Sequence, residues 1–204
     1  MSNTPETTAR TAEATESKTV STARRVAAVS WKPVLFAVLM WVSAAAGQIP
    51  VPGTPVPITL QTFVVMLAGL MLTWRQAGAA VAAYLAAGAA GLPVFAGGAS
   101  TMALVGPSAG FLLGFLPGIV VIALLKGSKD SKGESASILT ALRYFAAAFV
   151  GGVVVVYTFG ILIQSTLTGL PVAAVTAASM AFIIGDIVKA FVASLAAAGL
   201  ARLR

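Results

Sequence analysis

The sequence predicts an all-α membrane protein: a bundle of six transmembrane helices with both termini in the cytoplasm. Three observations lead there. Of the 204 residues, 58% are hydrophobic and only 9% charged, with a mean hydropathy of +0.96; a soluble domain carries about 25% charged residues. The apolar residues gather into six segments. The cations fall in alternate links between those segments, as the positive-inside rule requires.

Residues 1–30 are polar, rich in Thr, Ser, Ala and Glu, and lack apolar periodicity. They read as a disordered cytoplasmic tail. No apolar core closely follows the first basic residues, so no cleaved signal peptide is expected. The six segments are 33–49, 58–72, 77–90, 108–125, 138–163 and 173–200, within a membrane domain of 33–203. A spanning helix needs about 20 residues. The second and third segments are short by that measure, and a re-entrant hairpin is the rival reading. It would strand Arg75 at membrane depth. A tight cytoplasmic turn at Thr73-Trp74-Arg75-Gln76 with an interfacial Trp suits those residues better.

Five cations, Arg10, Lys18, Arg24, Arg25 and Lys32, precede the first segment. Arg75 follows the second. Lys126, Lys129, Lys132 and Arg143 flank the fourth link, and Arg202 and Arg204 close the chain. All of these are cytoplasmic if the N-terminus is inside. The outer links, about 50–57, 91–107 and 164–172, carry no charge and are rich in Pro and Gly. The link at 91–107 is long, and long links tend to be functional.

The thirteenth cation, Lys189, is inside the last segment with Asp186. A spacing of three puts both on one helix face. Each charge at a bilayer centre costs on the order of 3 kcal/mol. A structural ion pair, a polar ligand pocket and a proton relay are the three readings, and the relay lacks further titratable groups in series. Gln61, near the outer end of the second segment, can donate and accept at once; it serves a helix–helix bond or a ligand. Tyr84, mid-segment, is a packing residue or a pocket wall. Gly97-Gly98 allows tight turns beside a ligand. Gly106-Pro107-Ser108 starts a helix whose N-terminus faces outward, a natural site for a carboxylate. Small residues at four-residue spacing, Ser43 and Gly47, Gly114 and Gly118, Ala148 and Gly152, permit close helix approach within the bundle or to a second membrane protein.

With no Cys and no His, disulfides, thiolate and imidazole metal sites and His-centred catalysis are excluded. No cofactor or metal is expected, and the chain does not read as an enzyme. It has no Gly-Lys-Thr phosphate loop and cannot be its own ATPase. A nucleic-acid binder would cluster its basic residues on an exposed face; here they are dispersed along the inner boundary.

Four stretches taken together resemble a known family. They are Thr54-Pro55-Val56-Pro57-Ile58-Thr59-Leu60-Gln61-Thr62, Tyr84-Leu85-Ala86-Ala87-Gly88-Ala89-Ala90-Gly91-Leu92-Pro93-Val94-Phe95, Gly106-Pro107-Ser108-Ala109-Gly110-Phe111 and Gly185-Asp186-Ile187-Val188-Lys189-Ala190. In that order they resemble the BioY family, the biotin-specific S components of energy-coupling factor (ECF) transporters. The resemblance spans about residues 33–200.

It implies a six-helix bundle in the bacterial plasma membrane, crossing it many times. The bundle would capture biotin from outside and dock on a transmembrane coupling protein that carries two ABC-type ATPases. Asp186 would accept from the ureido N–H groups of biotin. Lys189 would balance Asp186 and donate to the ureido oxygen or another acceptor. Tyr84 and Phe95 would form apolar walls, with Gln61 and Gly98 also at the site. The valerate would point toward the outer links and Ser108. Ser43 and Gly47 would form the docking face for the coupling protein. An S component for another vitamin, such as thiamine or riboflavin, and a stand-alone proton-coupled transporter are the alternatives.

Overall fold

The computed structural model describes residues 31–127 and 134–202. The expected tail at 1–30 and positions 128–133 of the inner link lie outside the described residues. The chain is mostly helical: α1 (Trp31–Ala45), α2 (Gln61–Met71), α3 (Trp74–Ala89), α4 (Ala109–Leu125), α5 (Glu134–Phe149), α6 (Val156–Thr168) and α7 (Val172–Arg202). A π-helical turn at Val150–Val155 joins α5 to α6, so these two form one rod. Among the described residues six α-helical stretches result.

Two stretches, Ile138–Thr168 and Val172–Gly199, are each long and apolar enough to cross a membrane, with mean hydropathies of 2.3 and 1.9. By contrast α2 has only 11 residues, about 16 Å of helix, against about 30 Å of hydrocarbon. The expected second segment began at Ile58. It is shortened because a β-hairpin occupies the chain before it: β1 (Ile49–Val51) pairs antiparallel with β2 (Thr54–Ile58). Pro and β-branched residues alternate through Pro50-Val51 and Pro55-Val56-Pro57-Ile58, which suits a two-stranded ribbon that is all edge. Pro52-Gly53 makes the turn, with Gly53 at φ +86, a value that favours glycine. The outer link expected at 50–57 is therefore an ordered hairpin.

A helix of eleven residues leaves its last carbonyls without helical partners. Lys126, at the end of α4, supplies them. Its Nζ donates to Gly69 O at 3.1 Å, to Leu70 O at 3.0 Å and to Leu72 O. A cation there also complements the negative end of the helix dipole. The next helix starts on a capping box, Thr73 with Gln76, and Arg75 lies over the Trp74 ring at 5.1 Å. Leu72 and Thr73 alone separate α2 from α3, so the expected link at 73–76 is shorter than its residues suggested: Trp74, Arg75 and Gln76 form the first turn of α3.

Helix α4 is the central strut, packed along α6, α3 and α2. Gly110, Gly114 and Gly118 line its seam with the α5–α6 rod. A Cβ at Gly110 would lie 2.6 Å from Phe159 O, and one at Gly118 would lie 2.6 Å from Gly151 O. The seam closes only without side chains there. Gly152 of the π turn faces Met66 of α2, where an added Cβ would lie 2.6 Å from its Cε. The Gly114/Gly118 and Ala148/Gly152 spacings thus serve packing inside the bundle.

Ser43 and Gly47 do not share a helix face. Helix α1 ends at Ala45, and Gly47 sits beyond it at φ +129. Ser43 is buried, its hydroxyl donating to Met40 O at 2.7 Å. The four-residue spacing is real in sequence, but the Gly47-Gln48-Ile49-Pro50 run leaves the helix for the hairpin.

Lys126→Met should lower the melting temperature of detergent-purified protein by several degrees, since it removes a charged donor worth about 2 kcal/mol from partly buried carbonyls. Lys126→Arg should recover much of the loss. Thermal unfolding followed by circular dichroism reads both.

Candidate functional site

The hairpin, the turns at Ala96–Gly98 and Thr101–Leu104, and helices α2, α4, α6 and α7 enclose a cavity of about 350 Å³. That lies in the usual range for small-molecule sites, about 300–1,000 Å³. Its buried end is polar and its walls are aromatic. Phe95, Phe111, Phe115 and Phe182 line it, and the Phe111 ring meets Tyr157 and Phe182 edge-on at 6.0 and 6.2 Å between centroids. Met102, 74% exposed, marks the open side.

The polar end is built around Asp186 and Lys189 of α7, three residues apart, which form an ion pair at 2.8 Å. Neither stands alone. Asp186 Oδ1 accepts from Lys189 Nζ and, at 2.7 Å, from the Thr62 hydroxyl on the first turn of α2. Asp186 Oδ2 accepts from the Tyr157 hydroxyl on α6 at 2.8 Å. Lys189 Nζ also donates to Thr59 O at 2.7 Å and to Thr62 Oγ1 at 3.0 Å. One carboxylate thus ties together α2, α6 and α7.

The donor and acceptor inventory decides what this cluster offers. An ammonium has three protons, and all three of Lys189's are engaged by protein oxygens. A carboxylate has about four lone-pair directions. Three are filled, which leaves one on Oδ2, beside the cavity. The cluster therefore presents an acceptor to a ligand, and in this arrangement Lys189 acts as a brace for Asp186.

Asp186, Lys189, Gln61, Phe95 and Ser108 all line the same cavity. Ser108 precedes the first turn of α4 and makes no capping bond to it, so Gly106-Pro107-Ser108 brings the start of that helix to the cavity wall. Tyr84 and Gly98 do not line it. Tyr84 is fully buried behind Gln61, accepting from Gln61 Nε2 and donating to Val94 O at 2.9 Å. Its ring stands edge-on to Phe95 at 5.2 Å. Gly98 and Gly97, at φ +74 and +69, shape the turn over the site, and Gly97 packs against Gln48, which does line the cavity. Among the described residues no cluster of three His, Cys, Asp or Glu could hold a metal ion.

Sequence reasoning missed Thr59, Thr62 and Tyr157. Each is a hydroxyl-bearing residue in an otherwise apolar stretch, and that was the available signal. Tyr157 is aimed by the π turn that ends two residues before it. The extra residue of such a turn rotates everything after it about the helix axis, which no spacing rule anticipates.

A family model described as the BioY family matches residues 15–204. The chain belongs to the BioY family. A relative from Rhizobium etli, named biotin transporter BioY, is 40% identical over 166 residues, covering 79% of this chain and 88% of that one. Another from Thermotoga maritima, with the same name, is 35% identical over 175 residues, covering 84% and 95%. The crystal structure of an S-component for biotin from an ECF-type ABC transporter shares the fold, with a TM-score of 0.72 at 24% identity, over 89% of this chain and 93% of that one. In this BioY family member the acidic head of the cavity is held by side chains from three helices.

Tyr157→Phe keeps the ring but removes one of the donors that orient Asp186. Ligand affinity should fall about tenfold, with a small change in melting temperature. Isothermal titration beside thermal unfolding checks it; unchanged affinity would detach Tyr157 from the site.

Proposed function

We propose that this chain is the biotin-binding S component of an ECF-type transporter. It binds biotin from outside the cell and hands it on through a coupling protein and its ATPases. The observation that carries this is the Asp186 carboxylate, with three of its four lone-pair directions filled, at the buried end of an aromatic cavity. Biotin offers a ureido ring with N–H donors, an apolar thioether ring and a valerate carboxylate. One ureido N–H meets the free lone pair on Asp186 Oδ2. The fused rings lie among Phe95, Phe111 and Phe182. The valerate points to the open side, where Ser108 and the positive end of α4 favour an anion. The names of its relatives, biotin transporter BioY, support the same ligand.

The protein is a multi-pass membrane protein of the bacterial cell. Large apolar side chains stand exposed along the helices: Trp31, Val34, Val38 and Val42 on α1, Leu142 on α5, Ile184, Val188 and Leu195 on α7. Lipid is the solvent that suits such a surface. Six crossings with both termini inside is our reading of the topology. The positive-inside charge pattern supports it. So does the Lys126 cap, which gathers Lys126 and Arg75 at the same end of α2, where the inner boundary is expected. Docking through Ser43 and Gly47 loses its premise, because the two do not lie on one helix face.

Asp186→Asn should weaken biotin binding at least a hundredfold, since the amide presents a donor where the ureido N–H needs an acceptor and leaves Lys189 unbalanced. Calorimetry on the purified variant reads this, and unchanged affinity would remove Asp186 from the role. In the wild type, biotin should raise the melting temperature where thiamine and riboflavin do not.

A further inference from the structure

Once Lys189's protons are engaged, the site has an acceptor in Asp186 but needs a donor for the oxygen of a cyclic urea. Gln61 is the side chain placed to supply it. It is the first residue of α2, it is 3% exposed, and it lines the cavity. Its Oε1 accepts from the Thr59 hydroxyl at 3.2 Å, and its Nε2 donates one N–H to Tyr84 Oη. An amide nitrogen carries two N–H donors. The second has no acceptor among the described residues.

Which way this amide faces is decided by Tyr84. The Tyr84 hydroxyl has one proton, and it goes to Val94 O at 2.9 Å. Toward Gln61 it can therefore only accept, so Gln61 must turn its nitrogen, and not its oxygen, to Tyr84. Flipping the amide would set two acceptors against each other or strip Val94 O of its donor. Thr59, whose hydroxyl is free to rotate, enforces no such choice.

We propose that Tyr84 is a positioning residue for the ligand: its hydroxyl, anchored on Val94 O, holds the Gln61 amide so that Nε2 keeps one N–H for a carbonyl acceptor of the bound molecule. The buried end of the cavity then matches a head group carrying an N–H and a C=O side by side, as in a cyclic urea. Asp186 receives the one and Gln61 serves the other. This rests on the biotin reading above and adds to it how the site tells an acceptor from a donor at the ureido oxygen.

The test is calorimetry on four detergent-purified proteins, wild type, Tyr84→Phe, Gln61→Ala and the double variant. Each is titrated with biotin and with an analogue bearing sulfur in place of the ureido oxygen, a poor acceptor. Tyr84→Phe should weaken biotin about tenfold. In the Gln61→Ala background it should change affinity by less than about twofold, because its effect passes through Gln61. The wild-type preference for biotin over the analogue should shrink in Tyr84→Phe. Unchanged biotin affinity in Tyr84→Phe, or the same loss with and without Gln61, overturns the assignment. If Tyr84→Phe does not fold, Gln61→Ala decides: a preference for biotin over the analogue that persists in Gln61→Ala overturns the assignment, and one that disappears there supports it. A folded wild type that binds no biotin overturns the biotin reading itself, and the assignment with it.

Discussion

The structure depends on one buried ion pair and on the requirement that it be fully hydrogen-bonded. Asp186 and Lys189 sit one turn apart on α7, in a segment with no other charge between Val172 and Gly199. Two charges taken out of water need good geometry and further partners to be tolerated. Here the partners come from other elements: Thr59 before α2, Thr62 at its start, Tyr157 on α6. The demand for satisfaction therefore draws α2 and α6 onto α7 and fixes where the cavity ends. The same demand leaves one lone pair unfilled on a carboxylate that lines the cavity. Stability and recognition rest on the same few atoms.

The rest of the bundle serves to bring those elements into reach. The glycine seam lets α4 and the α5–α6 rod approach until backbone meets backbone, and the π turn at that crossing re-aims Tyr157. Helix α2 is too short to reach across the hydrocarbon, and Lys126 closes its far end while Lys189 grips the carbonyl just before its start. Two lysines from two helices thus fix a single short helix at both ends. That explains how a helix of eleven residues can present Gln61 and Thr62 at a defined depth.

Much of this was legible in the residues. An acid and a base three apart in a long apolar run stand out because the cost of burying them demands a reason. The family motifs then pointed to biotin, and helices α4 and α7 fall within one or two residues of their expected starts. What escaped has physical causes. The hairpin at Ile49–Ile58 hides in a Pro-rich stretch that reads as a link, though Pro52-Gly53 between β-branched residues carried its signal. Gly47 matched Ser43 in spacing, but spacing does not say where a helix ends. Tyr84 read as either a packing residue or a wall, and only the resemblance chose the wall; its hydroxyl, held between Gln61 and Val94, is what connects it to the site. Tyr157 depended on a π turn that leaves no mark in periodicity.

The most direct measurement is a crystal structure of the protein with biotin bound. The ureido N–H should lie within about 3 Å of Asp186 Oδ2, with Lys189 still bonded to Asp186 and the rings among Phe95, Phe111 and Phe182. Biotin bound elsewhere, or seated in this cavity with its ureido group turned away from Asp186, would contradict the claim that the buried pair exists to hold the ligand's polar head.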